Sequence, residues 1–212
     1  MVGRLPIHLS YKSALVLLPP PSIAAPIEAI RREHDRQFER WPAHINLLYP
    51  FLHSPSEASG QNKDSGLLLK PEIRTRIARA IQDIRPFQIA LDADPPGFFR
   101  HGEGGNYTVW LGPTTHGVQD LQAALQTAFT EVNSDRRPFV PHLSVGQVKS
   151  QASPDKLRTL VREKIAEHLG HGPDGEVMPV ALNWHVDQVC VIQRLSYDDP
   201  FMVVETIKLG RQ

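Results

Sequence analysis

Apolar and polar positions divide the chain into short segments that alternate between strand and helix spacing. Ser13 to Leu18 is an apolar run stopped by Pro19, Pro20 and Pro21, and it reads as a buried strand. Ser22 then stands as the cap of a helix whose Ile23, Ile27, Ile30 and Phe38 follow helical spacing, with Pro26 tolerated near the first turn. A strand from His44 to Phe51 follows. Residues from His53 to Gly66 are rich in Ser, Gly, Asn and Lys and read as a mobile loop. Pro71 opens a second helix with Ile73, Ile77, Ile81 and Ile84 on one face. Phe87 to Leu91 reads as a strand. Phe98 and Phe99, a Gly-rich turn through Gly105 and the run Tyr107 to Leu111 read as a hairpin. A third helix carries Val118, Leu121, Leu125, Ala128 and Val132. A strand from Pro141 to Val148 follows, and Ser153-Pro154-Asp155 caps a fourth helix with Leu157, Leu160, Val161, Ile165 and Leu169. Gly170 to Gly175 is a loop. Val180 to Val186 alternates as a strand, and Val189 to Leu195, a turn at Ser196 to Pro200, and Phe201 to Leu209 close the chain.

Two of these strands share a pattern. One reads Pro42-Ala43-His44-Ile45-Asn46-Leu47 and the other Val140-Pro141-His142-Leu143-Ser144-Val145. In a strand, residues two apart share a face. His44 and Asn46 therefore point one way while Ile45 and Leu47 point into a core, and His142 and Ser144 do the same. Each histidine strand also ends a similar unit of strand, proline, helix and His-strand, with Arg40 ahead of one histidine and Arg136 and Arg137 ahead of the other. The pattern predicts an internal duplication with repeats over residues 12–52 and 106–148 and a C-terminal hairpin over 180–209. The fold class expected is α+β: two pseudo-symmetric lobes, each a small, mainly antiparallel sheet with helices packed outside, and a cleft between them lined by His44, Asn46, His142 and Ser144. The contrasting view is that any α+β protein shows two such units by chance.

Composition narrows the function classes. The 212 residues suit one large domain or two small lobes. The 23 basic and 23 acidic side chains cancel, so no global field draws the protein to nucleic acid or anionic membrane. Any nucleotide site must make its own local potential. The single cysteine, Cys190, allows no intrachain disulfide and points to a reducing compartment. Ala14 to Leu18 is too short for a signal-peptide core, and no segment reaches the length of a membrane span. The expectation is a soluble monomer in the cytoplasm, with the nucleus as the alternative, and no membrane partner.

At the two histidine stretches the chain resembles the 2H phosphoesterase superfamily, which includes RNA 2′,3′-cyclic phosphodiesterases, also called 2′-5′ RNA ligases. The family hallmark is a pair of His-x-Ser/Thr motifs roughly a hundred positions apart; here the histidines are 98 residues apart. The text from Arg40 to Phe51 looks like the first motif, Pro138 to Gly146 like the second, and Val189 to Leu209 like the closing strands. The resemblance runs from Lys12 to Leu209. It implies a metal-independent phosphodiesterase, without a cofactor, acting on the 2′,3′-cyclic phosphate of a nucleotide or RNA end. It allows a reversible 2′-5′ ligation. One departure is Asn46, where the family usually has Thr or Ser; an amide still donates two hydrogen bonds.

The residue types fit that chemistry. An unperturbed imidazole titrates near neutrality, so one of His44 and His142 can serve as base while the other serves as acid. Asn46 and Ser144 would hold the non-bridging phosphoryl oxygens. Arg137 is assigned to phosphate binding, with Arg40 and Arg136 as companions, against the alternative of solvated surface arginines. Tyr197 is assigned to the cleft lining, against a plain turn residue. Tyr49 and Phe51 could stack a base or pack in the core. His34-Asp35 has the residue types of a metal phosphohydrolase but sits among Arg31, Arg32, Glu33 and Arg36 with no completing ligands, so no metal site is expected. The Gly102–Gly105 run precedes a strand and fits no phosphate-binding loop. Two further readings stand beside the leading one. The first is a non-catalytic nucleotide- or RNA-binding module with a degenerate first motif. The second is an enzyme processing the 3′ ends of longer RNA, which the zero net charge disfavours.

Overall fold

The computed structural model describes residues 5–58, 66–102, 105–133, 137–149, 152–170 and 179–211. Its strands, in chain order, are β1 (Leu9–Ser10), β2 (Ser13–Leu17), β3 (Ile45–Leu48), β4 (Phe51–Leu52), β5 (Ser56–Ala58), β6 (Leu67–Leu69), β7 (Phe87–Arg100), β8 (Tyr107–Pro113), β9 (Leu143–Val148), β10 (Ala181–Val186), β11 (Gln188–Gln193) and β12 (Met202–Lys208). The helices are α1 (Pro21–His34), α2 (Pro71–Ile81), α3 (Gly117–Ala128) and α4 (Asp155–Leu169).

Eight strands form one antiparallel sheet in the order β10-β7-β8-β9-β3-β2-β11-β12. The two halves expected as lobes are its two four-stranded ends, and they meet where Ile45 of β3 pairs with Leu143 of β9. In each half the strand before the helix lies beside the histidine strand: β2 beside β3, and β8 beside β9. A single residue, Asp187, separates β10 from β11, although they are the first and seventh strands of the sheet. The sheet must therefore curl until a one-residue link can pass from one half to the other.

All four helices lie on one side of this curl. Helix α1 packs on β9, α3 on β3, α4 on β7, and α2 on α3 and β12. The isoleucine stripes made this face. Ile23, Ile27 and Ile30 of α1, Ile73, Ile77 and Ile81 of α2, and Leu157, Val161 and Ile165 of α4 are all buried in a core shared with Leu15, Leu17, Ile45, Leu143 and Leu111. Strand β2 is buried on both faces. Its Ala14 and Val16 point away from the helices into a second apolar cluster with Cys190, Ile192 and Phe201.

Several details depart from the sequence pattern. Helix α1 begins at Pro21 with no side-chain cap, so Ser22 lies inside it, and the helix ends at His34, leaving Phe38 in the following turn. Ile84 and Val132 likewise lie just past α2 and α3, where they still pack on the core. Strand β7 runs unbroken from Phe87 to Arg100 through Pro95 and Pro96, because its pairing with β8 is bulged between Asp92 and Gly97 and the prolines need no ladder donor there. Of the stretch from His53 to Gly66 expected as a mobile loop, Ser56–Ala58 forms β5, which pairs with β6 just beyond it, and residues 59–65 lie outside the described residues. Most of the loop expected from Gly170 lies outside the described residues. Strand β10 does not join the closing hairpin; it pairs with β7.

Glycine is required where α1 meets β9. A Cβ on Gly146 would lie 2.8 Å from the Cβ of His34 and 3.0 Å from Leu157. Gly146→Ala is expected to cost about 1–3 kcal/mol by overpacking, read as a lower midpoint in denaturant unfolding; an unchanged midpoint would show that α1 retreats freely.

Candidate active site

Cross-strand register assembles the site. Ile45 pairs directly with Leu143, and both side chains point into the core. One residue to either side, the antiparallel register sets His44 across from Ser144 and Asn46 across from His142. Residues directly opposite in such a pair have Cβ atoms about 4.5–5.5 Å apart. All four side chains are half-buried, between buried neighbours. Each histidine strand thus supplies one imidazole and one hydrogen-bonding group to a common quartet.

The two imidazoles are held alike. His44 Nδ1 lies 2.8 Å from the carbonyl oxygen of Pro42, and His142 Nδ1 lies 2.7 Å from that of Val140. A carbonyl only accepts, so each Nδ1 carries the proton and donates it. Each neutral ring then keeps Nε2 as its open acceptor. Burial pushes His44 down to about 4, helped by the positive charge of Arg31 and by His142, against the backbone bond and Asp35. Burial also lowers His142, opposed by its bond to Val140. The influence of His142 on His44 means that the two rings sense each other's charge.

Aromatic side chains flank both rings. Trp41 stacks on His44 with centroids 4.7 Å apart and planes 20° apart, and it packs in turn on Tyr49 and Phe201. On the other side Phe99 meets His142 edge-on at 4.8 Å and stacks on Trp110. Trp110 lies across from Ser144, over Gly97 and Gly112, where any Cβ would fall within 2.7 Å of the indole. Beyond Phe201 lies Arg194, buried, with its guanidinium 4.7 Å from that ring and 5.3 Å from Tyr197.

The structure thus brings together His44, Asn46, His142 and Ser144. Tyr197 is exposed and stands outside the quartet, reached through Arg194, Phe201 and Trp41. Arg137 is exposed on the segment entering β9, and Arg136 lies outside the described residues. Phe51 is fully buried against Phe129 and belongs to the core, whereas Tyr49 joins the wall beside Trp41. Asp35 is bound by Arg31. Among the described residues no cluster of three or more His, Cys, Asp or Glu is placed to hold a metal ion. A groove of about 940 Å³ lies between α2 and α3 near Arg76 and Thr127 and includes none of the quartet.

Trp41, Phe99, Trp110, Phe201 and Arg194 carry no motif that marks them as site residues in the sequence. Trp41 stands three residues before His44, and Trp110 alternates with the core residues Val109 and Leu111, which already sets it on the opposite face. Their convergence on the imidazoles required the strand order.

The family model of the 2′-5′ RNA ligase superfamily matches residues 19–198, a span that includes both histidine motifs. The chain belongs to this superfamily of 2H phosphoesterases. Among solved structures, similar folds include TT0787 of Thermus thermophilus, with 16% identity over 95% of this chain and 100% of that one at a TM-score of 0.55. LigT of E. coli in its apo form has 15% identity over 95% and 99% of the two chains at a TM-score of 0.51. LigT complexed with 3′-AMP has 13% identity over 94% and 98%, also at 0.51. No curated protein matches. These likenesses, at 13–16% identity, show the fold. No described helix is long and apolar enough to cross a membrane.

Proposed function

We propose that the protein is a phosphodiesterase that opens the 2′,3′-cyclic phosphate of a nucleotide or RNA end, with His44 as general base and His142 as general acid. The observation that carries this reading is the matched pair of imidazoles, each anchored at Nδ1 to the carbonyl two residues earlier, on strands joined at Ile45 and Leu143. His44 Nε2 takes a proton from water, and the water oxygen bonds to phosphorus. The bond from phosphorus to one ribose oxygen breaks, and that oxygen takes a proton from His142. The Asn46 amide and the Ser144 hydroxyl donate to the non-bridging oxygens, where charge accumulates. With an RNA 5′-hydroxyl in place of water and the 3′ oxygen as the leaving group, the same sequence of steps is a 2′-5′ ligation. The aromatic walls beside each histidine suit nucleobases, since stacking on such a ring is worth about 1–3 kcal/mol per base. The LigT complex with 3′-AMP is consistent with a nucleotide ligand on this fold.

The test is turnover of 2′,3′-cyclic mononucleotides in EDTA, read across pH. The base works only when neutral, so the rate rises as pH climbs through about 4, the value for His44. The acid works only when protonated, so the rate falls as pH passes the lowered value of His142. The profile of kcat/KM is therefore expected to be a bell with its maximum below 6.5, the ordinary histidine value. A maximum well above neutrality would reject these assignments.

Asn46 supports a second reading. Its Oδ1 is buried without a hydrogen-bond partner among the described residues, and an amide in place of a hydroxyl fits a module that binds nucleotide without turning it over. Tight nucleotide binding with no turnover of any cyclic or 2′-5′-linked substrate would establish it.

A further inference from the structure

We propose that the buried pair Arg31–Asp35, tied to β9 through Gln147, positions His44 by fixing the indole on which its ring is stacked. The inference rests on the reading of His44 as a proton-transfer group.

The two side chains are each only 3% exposed, with Arg31 Nη2 2.7 Å from Asp35 Oδ2. Arg31 Nε donates to Asp35 Oδ2 at 2.8 Å, and Arg31 Nη2 donates to the Trp41 carbonyl at 2.8 Å. Asp35 Oδ1 accepts from the Gln37 amide at 2.8 Å and from Gln147 Nε2 at 2.9 Å. Gln147 Oε1 accepts from the Arg36 amide at 2.9 Å. The chain of contacts thus begins on β9, three residues after Ser144, and passes through α1. It ends at Trp41, whose ring lies on His44.

A buried ion pair is a poor way to add stability, because desolvation of both charges offsets their attraction. This pair instead organises a segment that has no regular secondary structure of its own. Between the end of α1 and the start of β3, residues 35–44 hold their course through turns and through these bonds. The guanidinium fork is suited to that task, since it binds a carboxylate and a carbonyl at fixed angles. The network also links the strand bearing His142 to the imidazole of His44, so the spacing of the two rings does not depend on the Ile45–Leu143 pairing alone.

The charged or titratable groups that act on His44 are Arg31 of α1, Asp35 just past its end, and His142 ahead of β9. Imidazole titration by NMR and steady-state kinetics on the full chain test the proposal together. Asp35→Asn leaves the guanidinium uncompensated and is expected to move His44 below its value of about 4. Arg31→Met leaves the carboxylate and is expected to move it upward. Shifts of the same sign in both variants would mean that the two charges do not face His44, and that result would overturn the proposal. Gln147→Met spares both charges and cuts only the tie to β9. It is expected to lower kcat by about 10–10²-fold, as a misplaced catalytic group does, with KM and the His44 titration little changed. Should either charge variant fail to fold, Gln147→Met decides: wild-type kcat, or a change confined to KM, overturns the proposal. Arg31→Lys, which keeps the charge without the fork, is expected to keep His44 low while kcat falls. A wild-type protein that turns over no cyclic phosphate would reject the phosphodiesterase reading, while the opposed titrations would still show that the pair stands beside His44.

Discussion

Replacing His44 with alanine is expected to lower turnover of a 2′,3′-cyclic nucleotide by about 10²–10⁴-fold, and replacing His142 to do the same, the range for loss of one positioned acid or base. Each ring offers a single open nitrogen, because its Nδ1 is committed to a backbone carbonyl. Deleting the ring removes the only proton carrier on its side of the quartet. The cost in stability is much smaller, since each half-buried imidazole gives up one hydrogen bond, about 1 kcal/mol. Activity and unfolding should therefore separate: both variants fold, and neither turns over substrate at more than a small fraction of the wild-type rate. The double variant should lose little beyond either single one, because base and acid act in the same step. Full activity in either single variant, measured in EDTA, would remove the two histidines from the reaction.

What the sequence disclosed was mostly periodicity. The stripes Ile23–Ile27–Ile30 and Ile73–Ile77–Ile81 located α1 and α2 because burial of one helix face leaves a strong signal at 3–4 spacing. The alternation around His44 and His142 placed the four polar side chains on one face for a similar reason. Helix ends were less legible. Phe38 and Val132 continue the spacing of their helices yet lie beyond them: Val132 packs on the core from non-helical backbone, and Phe38 lies against the guanidinium groups of Arg31 and Arg32. Strand order was legible only in the two hairpins, β7 with β8 and β11 with β12. That β10 pairs with β7 while β11 pairs with β2 depends on a sheet curled by contacts far apart in the chain. The aromatic walls inherit that limit: Trp110 is near His142 only because β8 lies beside β9. The Arg31–Asp35 spacing is visible as an i, i+4 pair, but such pairs are most often solvated, and its burial follows from α1 packing on β9.

Leu143→Ala and Ile45→Ala are each expected to cost about 2–5 kcal/mol, the range for truncating a large aliphatic side chain in a packed core. Neither residue is exposed at all, and they face each other across the junction of the two four-stranded halves. Against a total of about 5–15 kcal/mol for a typical domain, either change leaves a folded but weakened protein. The two changes should not add, because the second truncation enlarges a cavity that the first has already opened. A coupling of about 0.5–3 kcal/mol is expected for residues in contact, and a cycle of denaturant unfolding curves measures it. Activity adds a second reading of the same junction. The register that pairs Ile45 with Leu143 also sets His44 against Ser144 and Asn46 against His142, so a slackened junction misaligns the acid and the base together. At subdenaturing conditions, where both variants remain folded, kcat should fall by up to about 10²-fold, the scale for a displacement near 1 Å. Additive stabilities with unchanged kcat would mean that the halves are held in place elsewhere, by the one-residue passage through Asp187 and by helices packed across both ends of the sheet.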